Sequence, residues 1–199
     1  NQGQTYNSLG YDFGNSSRLP DIGFSAKQFP YLNIEDIQYY EVPTPTTQIT
    51  YKTGLQQGQF VDAIFTLNFN KRFNVSMSYK GLRSLGAYRR SLVSNGNFRT
   101  TFGYRTKENR YQIRGHIVTQ DFFHQESGGL TSGALASFID DDPDFTQRSR
   151  LDVNLNDTEN QFNGSRFYVE QNFSLFSPKK RIVTTNESAT DSLAAKEIN

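Results

Sequence analysis

Charged side chains recur at every second position through much of this sequence, and that spacing governs what chemistry they can do. Asp62, Lys80, Arg99, Arg105, Arg110, Arg114, His116, Arg150, Asp152, Arg166 and Glu170 all lie in runs of alternating polar and apolar character. In an extended chain a period of two puts such residues on one face. Arg72 shares that face, so cations outnumber carboxylates on it. Lining a water-filled passage, they would favour anionic solutes, as rings of Arg or Lys do in pores. The same side chains could instead pair with carboxylates elsewhere and simply fill the space.

Other chemistry is poorly served. Cysteine is absent, which removes thiol catalysis, zinc knuckles and disulfides. Histidine occurs only at His116 and His124. A histidine beside Ser or Asp is the minimum of a hydrolase triad, yet no Gly-x-Ser-x-Gly elbow or His-Glu-x-x-His motif accompanies either one. His116 reads as one more residue of the polar face. The acidic run Asp140-Asp141-Asp142-Pro143-Asp144 could hold a hard cation such as calcium. It lacks EF-hand spacing and reads first as a solvated loop. No catalytic residue, metal ligand or cofactor is expected. The net charge of +1 gives nucleic acid no general attraction.

The elements that must position the polar face are strands. Val61, Ala63, Phe65, Leu67 and Phe69 share one side, with Asp62, Ile64, Thr66 and Asn68 opposite. After a tight turn at Asn70-Lys71-Arg72 come Phe73, Val75, Met77 and Tyr79, against Asn74, Ser76, Ser78 and Lys80. The pattern repeats with Phe98, Phe102 and Tyr104, with Tyr111, Ile113 and Ile117, with Leu151, Val153 and Leu155, and with Phe167, Val169, Phe173 and Leu175. A weaker strand over 47–53 precedes them, behind the helix-forbidding Pro43 and Pro45. This predicts about seven strands. Short turns at Asn70 and Lys107 face long polar loops over 81–97 and 120–147, which places the short turns in the periplasm and the long loops outside the cell.

Composition agrees with a sheet greasy on one side and wet on the other. The mean hydropathy is −0.68, yet there are 17 Phe and 11 Tyr, and aromatics such as Phe69, Phe73, Tyr79, Tyr104 and Tyr111 gather near strand ends as interfacial girdles do. No run is long and apolar enough for a membrane-spanning helix, which transmembrane strands do not need. The expected fold is all-β: an antiparallel up-and-down transmembrane β-barrel. An odd strand number makes it an incomplete fragment, and any signal peptide would lie outside this sequence. A soluble β-sandwich also alternates, so a soluble β-rich binding domain stays open as an alternative.

Several short runs point further. Gln57-Gly58-Gln59-Phe60-Val61-Asp62-Ala63-Ile64-Phe65-Thr66 is followed by Tyr79-Lys80-Gly81-Leu82-Arg83-Ser84-Leu85-Gly86. With Thr119-Gln120-Asp121, Glu126-Ser127-Gly128-Gly129-Leu130-Thr131, Arg148-Ser149-Arg150-Leu151 and the N-terminal run from Gly3 to Tyr11, they resemble the putative porin family of Bacteroidota outer membranes. The resemblance covers about residues 1–176 and implies the front part of a larger barrel in the cell outer membrane. Its partners would be outer-membrane lipid and small hydrophilic solutes. The expected division is a periplasmic segment over 1–45, barrel strands over 46–176 and a polar tail over 177–199. The implied function is passive diffusion of small hydrophilic, anion-leaning solutes. A plugged barrel serving a secretion or envelope assembly is the alternative.

Overall fold

The alternation is laid out as a single antiparallel sheet. The computed structural model describes residues 3–4, 9–10, 29–55 and 57–175; the expected tail over 177–199 and much of the segment over 1–45 lie outside them. The strands are β1 (Thr46–Gly54), β2 (Gly58–Asn70), β3 (Phe73–Ser84), β4 (Val93–Arg105), β5 (Tyr111–Glu126) and β6 (Thr158–Phe173). They lie side by side in chain order, each antiparallel to the next. The sheet is up-and-down and open, with β1 and β6 as its two edges among the described residues.

The turns form for local reasons. At the β2–β3 turn the Asn70 side-chain oxygen accepts from the Arg72 amide at 2.8 Å, the Asx geometry that closes tight turns. At the β4–β5 turn Asn109 adopts a positive φ of 55°, which asparagine tolerates better than most residues. Its amide donates to the Thr106 carbonyl at 3.0 Å.

The structure corrects the strand count from seven to six. Leu151 and Val153 are buried as an inward-facing pair would be, but their stretch pairs only through an isolated bridge from Val153 to Leu130. It clasps a long loop shut: the Leu155 amide donates to the Ser127 carbonyl at 2.9 Å, and the Asn154 amide to that of Gly129 at 3.0 Å. Three alternating residues are too few to tell a clasp from a strand. The strands also run longer than expected, so the long connections are 85–92 and 127–157. The second carries helix α1 (Ser132–Ile139), capped by Thr131, whose hydroxyl accepts from the Ala134 amide at 3.3 Å.

Registry explains why the strands outran the expectation. From the short-turn end up to the row Ala63–Tyr79–Phe98–Thr119, the apolar side chains share one face and the polar ones the other. Beyond that row the two faces exchange character. Gln59, Arg83, Ser94, Asp121 and Asn163 continue the formerly apolar face, while Phe60, Leu82, Val93, Phe122 and Phe162 continue the polar one. Val93 and Phe122 are buried there, and Phe122 stacks on Phe162 at 5.5 Å. What apolar core the sheet has therefore sits at its loop end.

Candidate functional site

In the short-turn half, burial is the reverse of a soluble protein's. Phe69, Ile49 and Phe167 are 66%, 69% and 77% exposed, whereas His116, Ser76 and Thr101 are 1%, 2% and 3% exposed. Large apolar side chains cover the open face on all six strands: Tyr51, Phe65, Met77, Phe98, Ile117 and Val169 are exposed beside those just named. Aromatic residues edge this band. Phe73 pairs with Tyr104 and Tyr111 with Phe173 at the short-turn end, and Tyr79 pairs with Phe98 at the other. Phe69 stacks on Phe73 at 5.6 Å. From Val61 to Phe69 the band runs about 27 Å along β2, which at a tilt of ~40° is about 21 Å of depth, near the ~25 Å apolar belt of a transmembrane barrel.

The covered face is a hydrogen-bonded polar lattice. Ser76 and Thr101 face each other at 2.6 Å between hydroxyls. The Asn74 amide donates to the Thr66 hydroxyl at 3.0 Å. Arg99 donates to the Ser78 hydroxyl at 2.7 Å. Arg114 and Glu170 stand opposite in register and form an ion pair at 2.7 Å.

What covers this face is the segment 29–45, to which sequence reasoning assigned no contact. The Leu32 amide donates to the Gln120 side-chain oxygen at 2.7 Å, and Arg166 donates to the Leu32 carbonyl at 2.9 Å. The Asn97 side chain donates to the Pro30 carbonyl at 3.3 Å. Tyr31 meets the edge of Phe162 at 5.7 Å. Further along, the Tyr39 hydroxyl lies 2.8 Å from His116 Nδ1, and Arg114 lies over the Tyr39 ring at 5.0 Å. Glu41 pairs with Arg105, and the Val42 amide donates to Asn68 at 3.4 Å. The segment thus crosses the face from its loop end to its short-turn end, where β1 begins.

His116 is the centre of this contact. Arg166 donates to its Nε2 at 3.3 Å, so in the neutral ring Nδ1 carries the proton and donates to the Tyr39 oxygen. The ring stacks on Tyr168 at 5.0 Å. Between the segment and the short-turn half lies a cavity of about 380 Å³, lined by Tyr39, Asn68, Asn74, Gln112, Arg114 and Glu170 among others.

The structure brings Asp62, Lys80, Arg99, Arg105, Arg114, His116, Arg166 and Glu170 onto one face. Arg110 does not join them: it lies in the turn before β5, with its guanidinium 5.7 Å from the ring of Phe173, a residue of the apolar face. Arg150 and Asp152 do not join them, because the strand expected to carry them is the loop clasp. Arg150 donates to the Asp144 carbonyl at 3.2 Å, and Asp152 pairs with Arg89 at 2.8 Å. The aspartate run at 140–144 uses Asp142 to cap a short 3₁₀ turn, accepting from the Asp144 amide at 3.0 Å. No group of three or more His, Cys, Asp or Glu is gathered to hold a metal among the described residues. No helix among them is long and apolar enough to cross a membrane, which says nothing of strands. Tyr39, Glu41 and Gln120 were missed. Only the tyrosines at 31, 39 and 40 hinted at packing, and without a period they named no face.

Fold and site define a class: antiparallel up-and-down sheets that expose an apolar band and cover a polar face. A family model described as "Putative porin" matches residues 1–197, nearly the whole chain, and the chain belongs to that family. Membership carries a porin-like role at the outer membrane, that of a non-enzymatic channel or structural protein. None of the curated proteins and none of the solved structures matches the chain.

Proposed function

We propose that this sheet is one side of a transmembrane β-barrel whose polar face lines a channel for passive diffusion of small hydrophilic solutes. The observation that carries the reading is the inverted burial: apolar side chains outside on all six strands, polar side chains covered. Water penalises such an apolar surface and lipid does not. Unpaired strand edges are not tolerated in hydrocarbon, so β1 and β6 both need partner strands to complete a barrel.

Charge supports a lean toward anions. With Arg110, Arg150 and Asp152 removed from the face, Arg72, Lys80, Arg99, Arg105, Arg114 and Arg166 remain against Asp62 and Glu170, with Glu41 added by the covering segment. Arg105 and Arg114 are neutralised by their ion pairs, which leaves Arg99 and Arg166, in one row of the sheet and held by neutral groups, as the contributors at mid-strand. A second reading, a plugged or structural barrel, is favoured by one observation: the segment 29–45 occupies the polar face. The exposed apolar band counts against a soluble binding domain. Full-length protein reconstituted in planar bilayers separates these readings. Steady single-channel current supports the channel, current absent at every voltage supports the plug, and failure to enter the membrane overturns both.

A further inference from the structure

We infer that residues 29–45 thread the lumen as a fixed strap and set the width and selectivity of the passage. This rests on the channel reading above.

The contacts are those of a seat built for one segment, extended on either side of a turn where the Ile37 amide donates to the Ile34 carbonyl. Along the strap, polar groups meet the sheet in sequence: Pro30 with Asn97, Leu32 with Gln120 and Arg166, Tyr39 with His116, Glu41 with Arg105 and Val42 with Asn68. Leu32 is gripped through both backbone groups, its amide by Gln120 and its carbonyl by Arg166. An extended segment inside a barrel has no ladder of its own, so its backbone groups must be satisfied by the wall. Gln120 and Asn97 do this from positions where the sheet's polar side chains are otherwise buried.

Direction matters as much as contact. Tyr31 lies against Phe162 at the loop end, Glu41 against Arg105 at the short-turn end, and β1 starts at Thr46 beside Thr66. The strap therefore runs the full height of the apolar band on the opposite side of the wall. Any solute passing this side of the barrel meets Tyr39, the Arg114–Glu170 pair and the cavity beside them. Both of those charges are compensated, so the strap sets a size limit and presents aromatic and amide surface, while Arg99, Arg166 and Lys80 supply the field.

The test uses the full-length protein, in which this chain's lack of cysteine gives a clean background if the remainder is also free of thiols or made so. Leu32→Pro removes the amide that Gln120 accepts and leaves the wall untouched. Gln120→Ala removes the grip from the other side, and heat-modifiability on gels confirms that each variant folds. A single cysteine at Tyr39→Cys is treated with a charged methanethiosulfonate reagent. The strap predicts that modification at 39 reduces the single-channel current, that either undocking variant raises conductance and the polymer size cutoff, and that undocking accelerates labelling at 39 severalfold in detergent. A silent wild-type protein that conducts once undocked also supports the strap, as a complete plug. Wild-type channels whose current ignores modification at 39, with conductance unchanged by undocking, would overturn the strap while leaving the channel intact, and would fit a segment lying in the periplasm. If neither wild type nor variants conduct, the channel reading fails and the selectivity role falls with it. Accelerated labelling in that case still registers the docked segment as a structural contact.

Discussion

A single arginine moved along β2 reads out whether the apolar face meets lipid. Phe65 is the middle of the outward set Val61, Ala63, Phe65, Leu67 and Phe69, and it pairs with Met77, so it sits near the midplane of the proposed band. Phe69 lies four residues nearer the short-turn end, about 14 Å along the strand and, at a ~40° tilt, about 10 Å closer to the interface. Arginine on the lipid face of a barrel costs about 2–4 kcal/mol at the midplane and about 0–1 near the interface. Phe65→Arg should therefore destabilise by roughly 2–3 kcal/mol more than Phe69→Arg. Gln112→Arg, on the opposite face and already exposed, should cost little. The assay is reversible guanidinium unfolding of the full-length protein from phospholipid vesicles. Equal costs at 65 and 69, or a benign Phe65→Arg, would refute the argument, since a protein partner over the face has no reason to grade its penalty by depth.

Four more expectations follow from the geometry. Arg99→Glu should shift the reversal potential in a salt gradient toward cations, and Glu170→Gln, which uncovers Arg114, should shift it toward anions; unchanged potentials in conducting channels would show these side chains to be filler. Cysteine at Ser132 should label with an impermeant reagent on intact cells while cysteine at Lys107 should not, and the reverse result would invert the orientation. Gly115→Ala should destabilise by about 1–3 kcal/mol in the same vesicle assay, because a Cβ there would come within 2.7 Å of both the Phe102 ring and the Tyr168 carbonyl. Thr101→Val should cost about 1–3 kcal/mol by stranding the buried Ser76 hydroxyl, and a neutral effect would mean that water replaces the bond.

The two central hairpins were legible from alternation alone: the tight turns at Asn70 and Lys107 fall where the sequence placed them, and β1 follows Pro45 as expected. The loops were misjudged for one physical reason. Strand ends were sought where the apolar face ran out, but at Gly81 and again beyond Thr119 the apolar side chains change faces while the ladder continues. Hydrogen bonding follows the backbone and is indifferent to which face is wet. Leu151, Val153 and Leu155 erred in the other direction, their alternation belonging to a loop folded on itself. Most of the polar-face residues were legible because a period of two assigns faces without further information. The strap was not, because its contacts are made through backbone amides and scattered polar tips that leave no period.

The exchange of faces along each strand acts as a waterline. Riding about 5 Å deeper, a shift of two residues along the strands, would submerge Gln59, Asp121 and Asn163 at one rim. It would also lift Phe69, Phe73, Tyr104 and Tyr111 clear of lipid at the other. Both displacements cost energy, so the wall has one preferred draught. A bilayer with a thicker hydrocarbon layer would flood the rim or be pinched locally to fit, at a fraction of a kcal/mol per Å. The trim of this sheet suits a thin membrane, and bacterial outer membranes are thinner than average.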